Sequence, residues 1–217
     1  MNSKLPLTLA IFGKNNEDSL SLCIDSMKDI VEEIVFVDTG SSDKTVEIAR
    51  SYNARIYGIG FSDFGNVRSL TAHLATQPWI LGLDTDEIIC PEERDFLSGL
   101  IFQNDKDVWG LPRRRWSDIN REHQTEISAY PDYQYRLLRN IPSKIRWDNR
   151  VHERLVVREG IKIGQATAPH IEHFQDVFKK KERMKERNNL YRKLYTLDEA
   201  AGVIHSLPPV ASIDEEE

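Results

Sequence analysis

Trp79-Ile-Leu-Gly-Leu-Asp84-Thr-Asp86-Glu87 is the stretch on which the fold turns. Five residues suited to a buried strand run directly into three carboxylates. In extended backbone, residues i and i+2 project to the same side, so Asp84 and Asp86 can address one cation or its hydration shell. Hard oxygen ligands of this kind suit Mg2+ or Mn2+, ions that proteins commonly share with substrate phosphates. An isolated Asp-x-Asp is weak, because acidic turns are common; the apolar strand leading into it gives this one its weight. Glu87 either tunes that tip or caps the next element.

Upstream, strands and helices alternate. Leu7–Phe12 reads as a strand followed by Gly13-Lys14-Asn15-Asn16, and Asp18 or Ser19 can cap the next helix. Its apolar positions Leu20, Cys23, Ile24, Met27 and Ile30 recur at helical spacing. Ile34–Val37 is a second buried strand ending at Asp38. Thr39-Gly-Ser-Ser-Asp43 is a tight turn into a helix through Tyr52. A strand at Ala54–Ile59 and a helix at Phe64–Ala75 complete the series. Such alternation predicts a mostly parallel sheet flanked by helices. Ligands of such sheets lie beyond the carboxyl ends of the strands. That rule selects Lys14-Asn15, Asp38 and Asp84-Thr85-Asp86, all on one edge.

Downstream of Pro91 the character changes. Glu92–Phe102 is helical, and short strand-like runs come after it at Val108–Leu111, Tyr133–Leu138, Val151–Val157 and Ile161–Ile163, predicting a smaller mixed or antiparallel second half. Residues 176–195 form a strongly basic helix, and Pro208-Pro209 with Glu215–Glu217 mark a disordered acidic tail over 201–217. Residues 1–200 read as a single domain.

The 217 residues are 40% apolar and 29% charged, as in ordinary globular proteins. No stretch approaches the roughly 18 apolar residues of a membrane span, and the first ten residues do not resemble a secretory signal. Cys23 and Cys90 suggest neither a disulfide framework nor a zinc site, which fits a reducing, cytoplasmic setting. Peripheral contact with a membrane surface stays open. The net charge of -6 is uneven: residues 1–112 carry -9, residues 113–193 carry +9 and the remainder carries -6. The second half is therefore suited to meeting something anionic. Arg113-Arg114-Arg115 is its densest point, suited to an anionic acceptor, a lipid or a nucleic acid, although no nucleic-acid-binding motif accompanies it and no nucleic-acid partner is expected.

Lys14-Asn15-Asn16-Glu17, then Ile34-Val-Phe-Val-Asp38-Thr-Gly-Ser-Ser-Asp43-Lys-Thr45, then the Trp79–Glu87 stretch, resemble the family 2 glycosyltransferases of GT-A fold. Arg136-Leu-Leu-Arg139, Val151-His152-Glu153 and His170-Ile-Glu-His173-Phe are similar to that family's second half, so the likeness spans about residues 7–195. It implies a nucleotide-diphosphate sugar donor, a nucleotide-binding half over 1–90 and an acceptor half over 91–200. Asp38 would contact the base, with Lys14 near that pocket and Asp43 either there or at a helix cap. Arg68 matches a family arginine, although Ser69 follows where the family has Asn. Asp84, Asp86 and His173 would hold Mn2+ or Mg2+ against the diphosphate. Inverting transfer needs a carboxylate to take the acceptor proton. Glu153 is the first choice and Asp132 the second, while Arg136, Arg150 and Arg154 are candidates for diphosphate or acceptor contacts. The acceptor is a glycan, a lipid-linked sugar or a peptide.

Three other readings compete. A haloacid-dehalogenase-type phosphatase would carry its Asp-x-Asp on the opening strand, whereas three strand-helix units precede it here. A nucleotidyltransferase would want a Gly-rich basic loop after the first strand, which Phe12-Gly-Lys-Asn-Asn16 does not supply. A catalytically inactive module that binds a nucleotide sugar or a partner protein is the remaining alternative.

Overall fold

The computed structural model describes residues 4–125, 130–178, 181–201 and 210–213. Its first half alternates as expected: β1 (Leu5–Gly13), α1 (Leu20–Asp25), β2 (Val31–Asp38), α2 (Thr45–Ser51), β3 (Arg55–Gly58), α3 (Phe64–His73) and β4 (Trp79–Gly82). The four strands lie parallel in the order β3-β2-β1-β4. The chain reverses direction across the sheet between β1 and β4, so that crevice is where a ligand site belongs.

β1 explains the layering. Leu7, Leu9 and Ile11 are fully buried in one core with Leu20, Cys23, Ile24 and Met27. On the other face Ala10 packs with Ala75 and Ile80, and Val35 and Val37 pack with Val67 of α3. A strand buried on both faces has to be apolar at nearly every position, as β1 is.

The second half is β5 (Glu87–Ile89), α4 (Arg94–Gln103), β6 (Val108–Trp116), β7 (Gln124–Thr125), β8 (Asp132–Arg139), β9 (Ile145–Asp148), β10 (Arg154–Arg158), β11 (Ile163–Gln165), β12 (Ile171–His173), α5 (Gln175–Phe178), α6 (Lys181–Ala200) and β13 (Val210–Ile213). β8 joins β4 antiparallel, β6 is next and antiparallel to β8, and β12 and β5 extend the sheet beyond β6. A three-stranded sheet of β9, β10 and β13 packs beside it through Trp147, Leu155 and Val157.

Three differences from expectation have physical causes. The first helix stops at Asp25, beyond which the backbone tightens into turns where Met27 N donates to Ile24 O at 2.9 Å and Ile30 N to Met27 O at 3.0 Å; Met27 stays buried in those turns. The basic helix runs over Lys181–Ala200 after a separate turn at α5. Within the supposed disordered tail, Val210–Ile213 forms a strand parallel to β10, because Val-Ala-Ser-Ile can cover that edge; 202–209 and 214–217 lie outside the described residues. No helix among the described residues is long and apolar enough to cross a membrane.

Candidate active site

The loops after β1 and β2 are laced together by hydrogen bonds. Asn15 N donates to Ser41 Oγ at 2.9 Å, Asn15 Oδ1 accepts from Ser42 N at 2.7 Å, and Asn16 N donates to Thr45 Oγ1 at 2.7 Å. Asp43 accepts from Thr45 N at 2.9 Å and from Glu17 N at 3.2 Å, so its carboxylate ties the two loops and the start of α2. Asp38 accepts from Gly40 N and Ser41 N at 3.1–3.2 Å, which fixes the turn after β2. Gly13 is needed where these loops meet the acidic tip. A Cβ there would stand 2.9 Å from Thr85 Cγ2 and 2.4 Å from Asn16 Oδ1.

The acidic tip is a locked turn. Glu87, fully buried, accepts from Asp84 N at 2.9 Å through Oε2, while Glu87 N donates to Asp84 O at 3.0 Å. Phe174 N, just past β12, donates to Asp86 O at 2.9 Å. Asp84 and Asp86 thus lie in a cleft of about 1020 Å3 lined also by Gly13, Lys14, Thr39, Arg68, Arg113, Arg115, Arg136, Glu153, Arg154 and His173.

Arginines dominate its electrostatics. Arg68 of α3 is buried, stacks 4.9 Å above the Phe12 ring, and bridges two acids: Nη2 meets Asp84 Oδ1 at 2.7 Å and Nε meets Glu153 Oε1 at 2.8 Å. Arg136 of β8 closes on the same Asp84 at 3.3 and 3.4 Å. Burial opposes ionisation of Asp84, but Arg136 and Arg68 outweigh it and hold its carboxyl well below the usual carboxylate range. Burial also works against the Arg68 charge, and the Asp84 and Glu153 carboxylates more than compensate, raising its pKa.

The expected ligand triad is not assembled as such. Asp86 Oδ1 and His173 Nε2 stand 3.5 Å apart, but Asp84 is turned to its two guanidiniums. Among the described residues no cluster of three or more His, Cys, Asp or Glu side chains is arranged to hold a metal. The donors nevertheless suit one. Asp86 and His173 offer a carboxylate oxygen and an imidazole nitrogen to the same cleft, a set acceptable to Mn2+ and less natural for Mg2+.

The other selected residues separate by position. Glu153 lines the cleft, 17% exposed, beyond the left-handed turn at His152 (φ 51°). Asp132 is not among the lining residues; its Oδ2 takes a two-pronged contact from Arg113 at 2.7 and 2.9 Å, and its Oδ1 accepts from Gln134 at 2.8 Å. Arg150 also lies off the lining, because it pairs with the fully buried Asp198 of α6 at 2.7 Å. Lys14 is exposed at the rim. Glu87, which the sequence offered as tuning the tip or capping the next element, holds the Asp84 turn. Its one signal was a place three residues after Asp84, where a carboxylate can reach back to a backbone N–H.

The family described as "Glycosyl transferase family 2" matches residues 9–159 of the chain. The lipopolysaccharide core biosynthesis glycosyltransferase LpsC of Rhizobium meliloti (strain 1021) is 29% identical over 192 residues, covering 86% of this chain and 69% of that protein. An uncharacterized glycosyltransferase of Rickettsia felis is 30% identical over 97 residues, 45% of this chain and 34% of its own length. The chain thus spans about a third of the rickettsial relative and about two thirds of LpsC. Among solved structures, S. aureus TarS 1–349 in complex with UDP-GlcNAc superimposes with a TM-score of 0.60 at 14% identity, covering 83% of this chain and 61% of that one. That likeness is one of fold.

Proposed function

Since the chain belongs to glycosyl transferase family 2, we propose that it moves a sugar from a nucleoside-diphosphate donor to an acceptor hydroxyl, with inversion at the anomeric carbon. One observation carries this reading: the Asp84-Thr85-Asp86 turn lines a large cleft at the carboxyl end of β4, with two arginines already closed on Asp84. The donor's nucleoside would lie over the β1 and β2 loops, against Gly13, Lys14 and Thr39. Asp38 would meet it only through lone pairs that its turn leaves available. The TarS structure holds UDP-GlcNAc, which makes uridine diphosphate sugars the first donors to try.

Arg68 and Arg136 suit the diphosphate because guanidinium pairs two-pronged with phosphate oxygens. A bound diphosphate competes with Asp84 for both of them. Asp86 and His173, with Asp84 beside them, are the residues that would hold Mn2+ or Mg2+; when bound, the ion adds positive charge at the departing diphosphate. Glu153 takes the acceptor proton while the hydroxyl oxygen bonds to the anomeric carbon. The bond from that carbon to the diphosphate breaks with its electron pair leaving on phosphate. Arg68 holds Glu153 by one oxygen and so aims the other. Glu153 is preferred to Asp132 because it lines the cleft.

The test is a melting screen of UDP-, GDP-, ADP-, CMP- and dTDP-sugars with and without Mn2+. A donor at about 100 times its dissociation constant adds about 2.7 kcal/mol, roughly 5–10 °C for a chain of this size. The winning donor is then assayed for hydrolysis and transfer. Turnover should vanish in Asp86→Ala and fall about 10^2- to 10^4-fold in Glu153→Gln with donor binding kept. Tight binding without turnover across a broad acceptor panel would instead leave a nucleotide-sugar-binding module. Phosphate release from a simple phosphomonoester, with no nucleotide requirement, would defeat both readings.

A further inference from the structure

The pleat of β6 divides Arg113-Arg114-Arg115 between two faces. Arg114 turns away from the cleft, to buried Glu172 at 3.1 Å and to His170 Nε2 at 2.9 Å. The triplet is therefore not one basic surface patch of the kind a nucleic acid needs. Arg113 and Arg115 line the cleft.

Arg113 is matched there by Asp132 at 2.7 Å and Glu87 at 3.5 Å. Arg115 is matched poorly. The carboxylate it reaches is Asp132 Oδ2 at 3.9 Å, which already holds the Arg113 fork, and Arg115 Nε is a buried nitrogen with no hydrogen-bond partner among the described residues. From the second sheet Arg154 lines the same cleft, and its Nε is likewise buried without a partner among the described residues. Of the acids in the lining, Asp84 and Glu153 are bound to Arg68, Asp86 sits by His173, and Glu186 of α6 is the fourth. Two guanidiniums therefore bring positive charge to the cleft that its carboxylates do not offset closely.

We infer that the acceptor is an anionic sugar, carrying a phosphate or carboxylate that Arg115 and Arg154 grip. The assignment rests on the transferase reading, since it concerns the acceptor end of the same cleft. Guanidinium suits either anion through two parallel N–H···O bonds.

Calorimetric titrations with glucose 6-phosphate, glucuronate and glucose, each with and without UDP, test it. One or both anionic sugars should bind at least about tenfold more tightly than glucose, the difference that one charge-assisted contact supplies. Whichever binds better names the anion. Arg115→Gln with Arg154→Gln should erase the preference while UDP affinity stays as it was; if the double variant fails to fold, Arg115→Gln alone, at a side chain 39% exposed, reports the same loss in part. Equal binding of glucose and both anionic sugars would overturn the inference, as would an anionic preference that survives the substitutions. Failure of the unaltered protein to bind any nucleotide of the donor screen would count against the transferase reading separately.

Discussion

Asp84 concentrates the residue-scale physics of this molecule. Its partners come from α3, 16 positions before it, and from β8, 52 positions after it. The strand and its acidic tip are local and were readable, because burial and period act over a few residues. The arginines closing on Asp84 were not, since two guanidiniums meet it only when α3 and β8 flank β4. Asp38 shows the converse: its place at a strand tip was legible, but the backbone N–H groups of Gly40 and Ser41 that occupy its carboxylate depend on the turn. The Asp84 cluster also sets an acid response. A carboxyl held below its unfolded value of about 3.9 binds its proton less readily when folded. Its contribution is therefore present above that value and lost as pH falls through the depressed one. Stability of the unaltered protein should decline on acidification below about pH 4, and Asp84→Asn should remove that part of the decline. Urea midpoints taken between pH 2 and 6 on both proteins read the difference; parallel curves would show that Asp84 contributes nothing to it.

At the scale of elements, α3 is placed by a glycine. A Cβ on Gly65 would stand 2.5 Å from Asn149 O and 3.0 Å from Asp148 C, both backbone of the turn that leads to Glu153. Alanine in a helix gains about 1 kcal/mol over glycine from propensity. Overpacking against backbone that cannot swing aside costs about 1–3 kcal/mol. The contact wins, so Gly65→Ala should destabilise by up to about 2 kcal/mol net, read as a lower urea midpoint at unchanged slope. A stabilised variant would mean that the turn yields. The helix was readable from Val67 and its apolar neighbours at helical spacing, but the reason for Gly65 lies at the end of β9, whose Ile-Arg-Trp-Asp alternation is only four residues long. β5, β9 and β12 escape a sequence reading together, because three or four residues are too few to show a period. Glu87–Ile89 gets its strand geometry from pairing with Ile171–His173, a contact between segments more than 80 positions apart.

For the whole molecule, the division of charge between the halves resolves into specific clamps. The acidic first half meets the basic second half where Arg136 pairs with Asp84 and Arg113 with Glu87, and the acidic remainder meets it where Arg150 pairs with buried Asp198. Parallel order in the first half was legible from alternation alone, whereas the placement of α6 against the cleft was not, since a helix so polar gives no reading of what it faces. Glu186, Leu190 and Tyr191 of α6 line the cleft; Tyr191 meets Phe64 edge-on at 5.5 Å, and His152 lies 5.7 Å from the Tyr195 ring. The helix thus covers the turn that bears Glu153, and the Arg150–Asp198 pair fastens its far end. Arg150 is 37% exposed, so the pair is partly solvated and its loss should cost about 1–2 kcal/mol. Local opening then sets exchange of the α6 amides. In Arg150→Ala those of residues 190–200 should exchange roughly 5- to 30-fold faster, while those of β1 and β4 keep their rates. Donor affinity should hold, because Arg150 is off the cleft lining, and the acceptor KM should rise as its wall loosens. Unchanged exchange over 190–200 would mean that the aromatic contacts alone hold the helix in place; a large loss of donor affinity would return Arg150 to the nucleotide-sugar site.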